Sequence, residues 1–373
     1  MNIQLDNMKL LIIKVGTTLI SSAASFLDRE KMEPIVEDIS DFMRKGIKIV
    51  LVSSGAIGAG MAVLGLKTRP KLLPQKQAAA AIGQSKLMHF YKELFNQHGL
   101  RVAQILLTKD DLDDRAKYLN ARNTLTTLLQ YENIIPIINE NDTIAVDEIK
   151  FGDNDTLAAV IASKMQADLL IILSNVDGFY DCDPRKNSAP RLIEEVPEVT
   201  DELKRICGAA CAETSVGGMS SKLEAARIAT LSGIGMVLAN GEHPHVLRDI
   251  FSGTVKCTYF RPRRGAMTGR KRWIAFGSAP HGAIKIDKGA RQALLSQGRS
   301  LLPKGVIEVN GTFDRGDTVS ILDEDGKEIA RGLTNYSAPE VARIKGAHSS
   351  QIPSLLGQKD YDEVVHRDNL VLL

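Results

Sequence analysis

From residue 9 to about residue 260 the chain alternates short runs of Ile, Leu and Val with longer stretches whose apolar positions recur every three or four residues. The runs at 10–15, 47–52, 102–107, 134–138, 169–173 and 236–239 have no polar alternation. That pattern predicts strands covered on both faces. The stretches at 35–45, 86–98, 156–165 and 221–231 predict helices between them. Strand and helix in turn predict an α/β domain with a doubly wound, mainly parallel sheet. Ligands of such sheets gather at the carboxyl ends of the strands, so the loops that follow the strands are where chemistry is expected. Pro136, inside the fourth run, lacks a ladder donor and is expected at an edge or a bulge.

Beyond residue 260 the texture changes. Arg261-Pro262-Arg263-Arg264-Gly265 and Gly269-Arg270-Lys271-Arg272 predict a basic linker over 261–280. Short apolar runs follow at 306–309, 318–322 and 329–333, with Asn310-Gly311 and Asp325-Gly326 between them. An Asp-Gly pair between apolar runs is a strong hairpin signal. This predicts a small β-rich domain over 281–359 and a tail over 360–373. From Arg261 to Lys304, Lys and Arg outnumber acidic residues eleven to one, the acid being Asp287. Such a run tracks RNA phosphates or is a solvated face; Trp273 and Phe276 are its aromatic residues.

Composition narrows the class. A chain of 373 residues has room for two or three domains. With 44% apolar and 25% charged residues it is an ordinary globular chain, able to build its core without disulfides or a structural metal. A net charge of +2 does not by itself call for nucleic acid or membrane. Cys182, Cys207, Cys211 and Cys257 form no CxxC pairs, and His243 and His245 read as loop residues, so no zinc set is expected. No window reaches the roughly 18 apolar residues of a membrane span, and no signal-peptide pattern precedes the first strand. A cytoplasmic protein is expected.

Candidate chemistry sits at the ends of the predicted strands. Lys14 lies inside an apolar strand; it either snorkels from an edge or faces an anion. Ser53-Ser54-Gly55-Ala56-Ile57-Gly58-Ala59-Gly60 ends the second strand and is neither a Walker loop nor a dinucleotide fingerprint. Its small residues admit either a phosphate against the backbone or a tightly packed helix. Asn139-Glu140-Asn141-Asp142 and Gly152-Asp153-Asn154-Asp155-Thr156 supply more Asp and Asn than helix capping needs. Ser174-Asn175-Val176-Asp177-Gly178-Phe179-Tyr180 is a turn able to hold a nucleotide, and Val216-Gly217-Gly218-Met219-Ser220-Ser221-Lys222 opens a helix with a lysine in its first turn. Two lysines, two glycine-rich loops and several Asp/Asn groups suit phosphoryl transfer, which depends on positioning and positive charge. Without a His or Cys base in these loops, an acceptor already ionised at neutral pH is favoured, such as a carboxylate of pKa about 4.3.

Together Lys14-Val15-Gly16-Thr17, the 52–60 loop, Asn139-Glu140-Asn141-Asp142, residues 148–155 and Gly217–Lys222 resemble the amino-acid kinase family. The stretches 114–122 and 300–305 are similar to those members that phosphorylate the side-chain carboxylate of free L-glutamate at the start of proline synthesis, and 281–359 is similar to a PUA domain. The resemblance implies an amino-acid kinase domain over 1–260. It implies that Lys14 and Lys222 neutralise the transferring γ-phosphoryl group, that Asp155 holds both lysines, and that the Gly55 amide binds phosphoryl oxygens. Ser54, Asp142 and Asn154 would hold glutamate. Lys14, Ser174, Asn175, Val216, Gly217, Gly218, Met219, Ser220, Ser221 and Lys222 would contact ATP, with Mg²⁺ carried by its phosphates and no metal ligand from the protein. Asn175 and Val216 depart from the Asp and Thr frequent in relatives, which bears on nucleotide contacts. The resemblance also implies feedback by proline, a homodimer or homotetramer, glutamyl phosphate reductase as a pathway partner and RNA as a ligand of the small domain. Kinases of N-acetylglutamate or aspartate and an RNA-binding or RNA-modifying protein are the alternatives. An aspartate kinase would carry ferredoxin-like regulatory domains, and Asp142 suits a free ammonium better than an acylated amine.

Overall fold

The computed structural model describes residues 3–21, 27–145, 154–182, 190–200, 203, 218–263, 269–276 and 279–373. The chain divides into two compact units, Met1–Ala266 and Met267–Leu373.

The strands of the first unit are β1 (Leu10–Val15), β2 (Lys48–Ser53), β3 (Arg101–Leu107), β4 (Ile134–Glu140), β5 (Leu169–Ser174), the short pair β6 (Phe179–Tyr180) and β7 (Leu192–Ile193), β8 (Glu195–Val196), β9 (Gly235–Asn240) and β10 (Cys257–Phe260). Eight of them make one sheet in the order β3-β4-β2-β1-β5-β9-β10-β8. Its neighbours run parallel except β9 and β10. Among the described residues the helices are α1 (Thr17–Ile20), α2 (Arg29–Arg44), α3 (Ala56–Val63), α4 (Leu73–Asn96), α5 (Lys109–Asp113), α6 (Arg115–Leu128), α7 (Asn154–Met165), α8 (Met219–Leu231) and α9 (Val246–Ser252). Their starts follow local chemistry: Asp28 accepts from Lys31 N to cap α2, and Thr108 with Asp111 forms a capping box on α5.

The central strands are apolar on both faces because both are covered. Leu11, Ile13, Ile49, Leu51 and Ile171 meet Ile35, Ile39, Tyr91 and Phe95 of α2 and α4 in one core. Each fully buried aliphatic side chain contributes about 1.5–3 kcal/mol. Pro136 is at neither an edge nor a bulge. It pairs in register with Ala103 of β3, while the ladder between β2 and β4 begins only at Ile137, so no β2 partner is deprived of its missing N–H.

In the second unit, β11 (Gly282–Ile286), β12 (Val306–Gly311), β13 (Thr318–Leu322), β14 (Glu328–Thr334) and β15 (Val365–Leu372) form a sheet ordered β12-β11-β13-β14-β15. Ile284, Ile286, Val319, Ile321, Val341 and Ile344 fill its core. Asp325-Gly326 does turn a hairpin, between β13 and β14, with Gly326 at φ +79. Asn310-Gly311 does not, because β11 lies between β12 and β13. Two elements fall outside the predicted β-rich span of 281–359, in the stretches expected as linker and tail. Residues 365–372 form the edge strand β15, whose polar Arg367-Asp368-Asn369 breaks the apolar pattern. Within the basic stretch, Gly269–Phe276 is a helix whose Ile274 and Ala275 are buried against Val371, and Arg331 Nη1 donates to Ala275 O at 2.9 Å. No described helix is long and apolar enough to cross a membrane.

Candidate active site

Lys14 is in β1, between β2 and β5 in the middle of the sheet, which rules out an edge-strand role. It is 7% exposed, and its Nζ lies 2.6 Å from Asp155 Oδ1. Asp155 is fully buried in the first turn of α7, where a carboxylate also suits the helix dipole. Its other oxygen, Oδ2, accepts from Lys222 Nζ at 3.0 Å, and Lys222 is 6% exposed in the first turns of α8. Burial alone would raise the Asp155 carboxyl. The charges of Lys14 and Lys222, with their hydrogen bonds, outweigh burial and hold it below the ordinary carboxylate value. Among the described residues, two ammonium groups share this one carboxylate at a strand end, a charge balance that favours an anion beside them.

Asn154, the residue before Asp155, enters a second cluster. Its Nδ2 lies 2.6 Å from Ser53 O, 2.9 Å from Ser54 Oγ and 2.9 Å from Asn139 Oδ1. Its Oδ1 is buried and has no hydrogen-bond partner among the described residues. An orphaned acceptor of this kind is ready for a donor from a ligand. Asn139 and Glu140, predicted in a loop, are the last residues of β4, and Asn139 Oδ1 also accepts from Glu140 N at 2.9 Å. Asp142 lies half-buried in the turn after β4.

The glycines after β2 divide between both readings. Gly55 has φ +102 at the N-cap of α3, a conformation that a side chain would strain, and it starts a helix whose N–H groups face an anion readily. Gly60 instead serves helix packing: a Cβ there would lie 1.7 Å from Ala79 O of α4. Among the residues expected to contact ATP, Ser174 O accepts from Gly241 N at 2.8 Å and Ser174 Oγ is 3.4 Å from Asn175 Oδ1. Gly218 is the N-cap of α8 and Ser221 Oγ donates to Gly218 O at 2.8 Å, 3.5 Å from Asp155 Oδ2. Met219 and Ser220 open the same helix. Val216 and Gly217, the motif residues 148–153, and Cys207 and Cys211 lie outside the described residues.

Residues 9–240 match the amino acid kinase family and residues 282–356 match the PUA domain. Glutamate 5-kinase of Thermoanaerobacter sp. (strain X514) is 49% identical over 363 residues, covering 97% of each chain. Glutamate 5-kinase of Geobacter sulfurreducens is 47% identical over 369 residues, covering 99% of each. The chain belongs to the amino acid kinase family, in its glutamate 5-kinase branch. Among solved structures, carbamate kinase from Giardia lamblia bound to AMP-PNP covers 69% of this chain and 100% of that one at 17% identity and a TM-score of 0.49, too distant to bear on the site.

In this amino acid kinase, the sequence named Asp177 and Tyr180 only as part of the 174–180 turn, without a role for either side chain. Asp177 Oδ1 accepts from Asn240 Nδ2 at 3.0 Å and Tyr180 OH donates to Asp177 Oδ2 at 3.2 Å, tying the turn after β5 to the end of β9. Burial and the facing Asp177 raise the Tyr180 hydroxyl above its ordinary value. Neither histidine of the 242–245 turn has a metal-binding set around it among the described residues; His245 Nδ1 is 3.0 Å from the buried Asp38. Asn139 was legible as part of an Asn/Asp-rich run. Gln84, which accepts from Asn139 Nδ2 at 2.9 Å, lies in mid-helix with no motif to mark it.

Proposed function

We propose that this kinase transfers the γ-phosphoryl group of ATP to the side-chain carboxylate of L-glutamate, giving L-glutamyl 5-phosphate and ADP at the first step of proline synthesis. The observation that carries the reading is the adjacency of Asn154 and Asp155 at the start of α7. One side chain enters the amide cluster with Ser54, and the next holds the two lysines. An amino acid bound at the first cluster therefore presents its side chain to a phosphoryl group at the second. A divalent ion accompanying ATP, taken as Mg²⁺, would offset charge on the phosphates when bound.

The chemistry then follows from charge. A carboxylate oxygen forms a bond to the γ-phosphorus as the bond to the bridging oxygen of ADP breaks. The acceptor is ionised at neutral pH, so no general base is needed. Lys14 and Lys222 offset charge on the transferring group and on the leaving phosphate, and Asp155 keeps both ammonium groups in place without reorganisation. The Gly55 amide donates to a phosphoryl oxygen. Ser54, Asp142 and the free Oδ1 of Asn154 hold the amino acid, the acceptors facing its ammonium.

With ATP and Mg²⁺ the protein should convert L-glutamate to an acyl phosphate trapped by hydroxylamine, ahead of N-acetylglutamate and aspartate. Faster turnover of either competitor would overturn the assignment. Free proline, an amino acid with the same α-carboxylate and ammonium pattern, should raise the apparent KM for glutamate and leave kcat unchanged. Identical kinetics with and without millimolar proline would remove feedback from the proposal.

A further inference from the structure

The amide cluster has fixed polarity. Ser53 O can only accept, so Asn154 must turn its Nδ2 toward it, which leaves its buried Oδ1 without a donor among the described residues. The Glu140 N–H can only donate, so Asn139 must present Oδ1 to it and to Asn154, leaving its own Nδ2 to be satisfied elsewhere. Asn139 is 2% exposed, and its Nδ2 donates to Gln84 Oε1 at 2.9 Å.

Gln84 belongs to α4, a helix that contributes no residue to the phosphoryl cluster, and α4 is held closely at this point. A Cβ on the neighbouring Gly83 would lie 1.7 Å from Ala56 O and 2.4 Å from Gly60 N, so the backbone of α4 rests on the first turns of α3. Two turns along, on the same face, Tyr91 OH is 2.8 Å from Ser53 Oγ at the end of β2. The helix thus reaches the ends of both β2 and β4.

We propose that Gln84 is a positioning residue for the amino-acid substrate: its side-chain oxygen fixes Asn139, and through Asn139 the Asn154 amide that faces the substrate. The inference rests on the reading that Asn154 and Ser54 hold glutamate. Without the Gln84 oxygen, the Asn139 amide group is buried with an unmet donor and must turn to find another acceptor, taking Asn154 with it. The lysine–aspartate cluster does not depend on this chain of amides, so nucleotide binding is left in place.

Steady-state kinetics of Q84L and Q84E test this. Q84L should raise the KM for L-glutamate about tenfold, the scale of one lost hydrogen bond, with the KM for ATP and kcat within about twofold of the parent. Q84E keeps an acceptor oxygen at the same reach and should recover most of the lost affinity. Equal melting temperatures for the two variants would separate positioning from folding. An unchanged glutamate KM in Q84L, an equal rise in the ATP KM, or a Q84E as impaired as Q84L would each overturn the proposal. Failure of the parent protein to phosphorylate glutamate would instead overturn the functional reading, and this inference with it.

Discussion

Replacing Lys222 by Met should lower kcat by about 10²–10³-fold, the range for loss of one preorganised electrostatic stabiliser, and Lys14→Met should do the same. Both side chains sit at a strand end with their ammonium groups on a single carboxylate, so neither needs to reorganise as charge develops on the phosphoryl group. Either substitution leaves Asp155 paired with the remaining lysine, so the melting temperature should move little. The KM for glutamate should also hold, because the amide cluster makes its hydrogen bonds through Ser53, Ser54 and Asn139. The two lysines act on the same charge, so the double variant should fall short of the product of the single effects. Rapid-quench or steady-state assays of the three variants decide the matter. Near-full activity in either single variant would return that lysine to a structural role.

Asp155→Asn should behave differently, losing stability as well as rate. The amide is the same size as the carboxylate but leaves two buried ammonium groups facing each other across a neutral group. Leaving buried charge without its compensating partner costs about 3–5 kcal/mol. The sign of the pH dependence follows from the lowered Asp155 pKa. A carboxylate whose folded pKa is depressed contributes stability above its unfolded value of about 3.9, and that contribution is lost as pH falls through the folded value. The stability gap between parent and D155N in urea unfolding should therefore be widest near neutrality and narrow below about pH 4. ATP brings its own negative charge to the lysines, so it should raise the melting temperature of D155N more than that of the parent. Equal stability of the two proteins at pH 7 would mean that the lysines are not held by this carboxylate.

Much of this was legible in the residues alone. Apolar runs without polar alternation implied a parallel sheet covered on both faces, and the observed β1, β2, β4, β5 and β9 fall on those runs because burial on two faces leaves no room for polar side chains. The segments that carry Lys14, Gly55, Asn154, Ser174 and Lys222 could be found because small and charged residues beside apolar runs are unusual unless a ligand is present. Distant partnerships could not be read in the same way. Periodicity reports how far a single element is buried, not which other element covers it. Only the tertiary structure placed Lys14 in the centre of the sheet rather than at an edge; the pairing of Asp155 with Lys14 and Lys222 was implied by the family resemblance, not by any local pattern of residues. It also showed that Gly60 and Gly83 let α3 and α4 touch, where a glycine-rich loop had two readings. The last strand, β15, was hidden because its polar middle residues interrupt the alternation, and an edge strand tolerates them. Gln84 is the clearest case. A half-buried glutamine in a helix has the same local pattern whether it meets water or a strand end, and the difference is made by where α4 is docked.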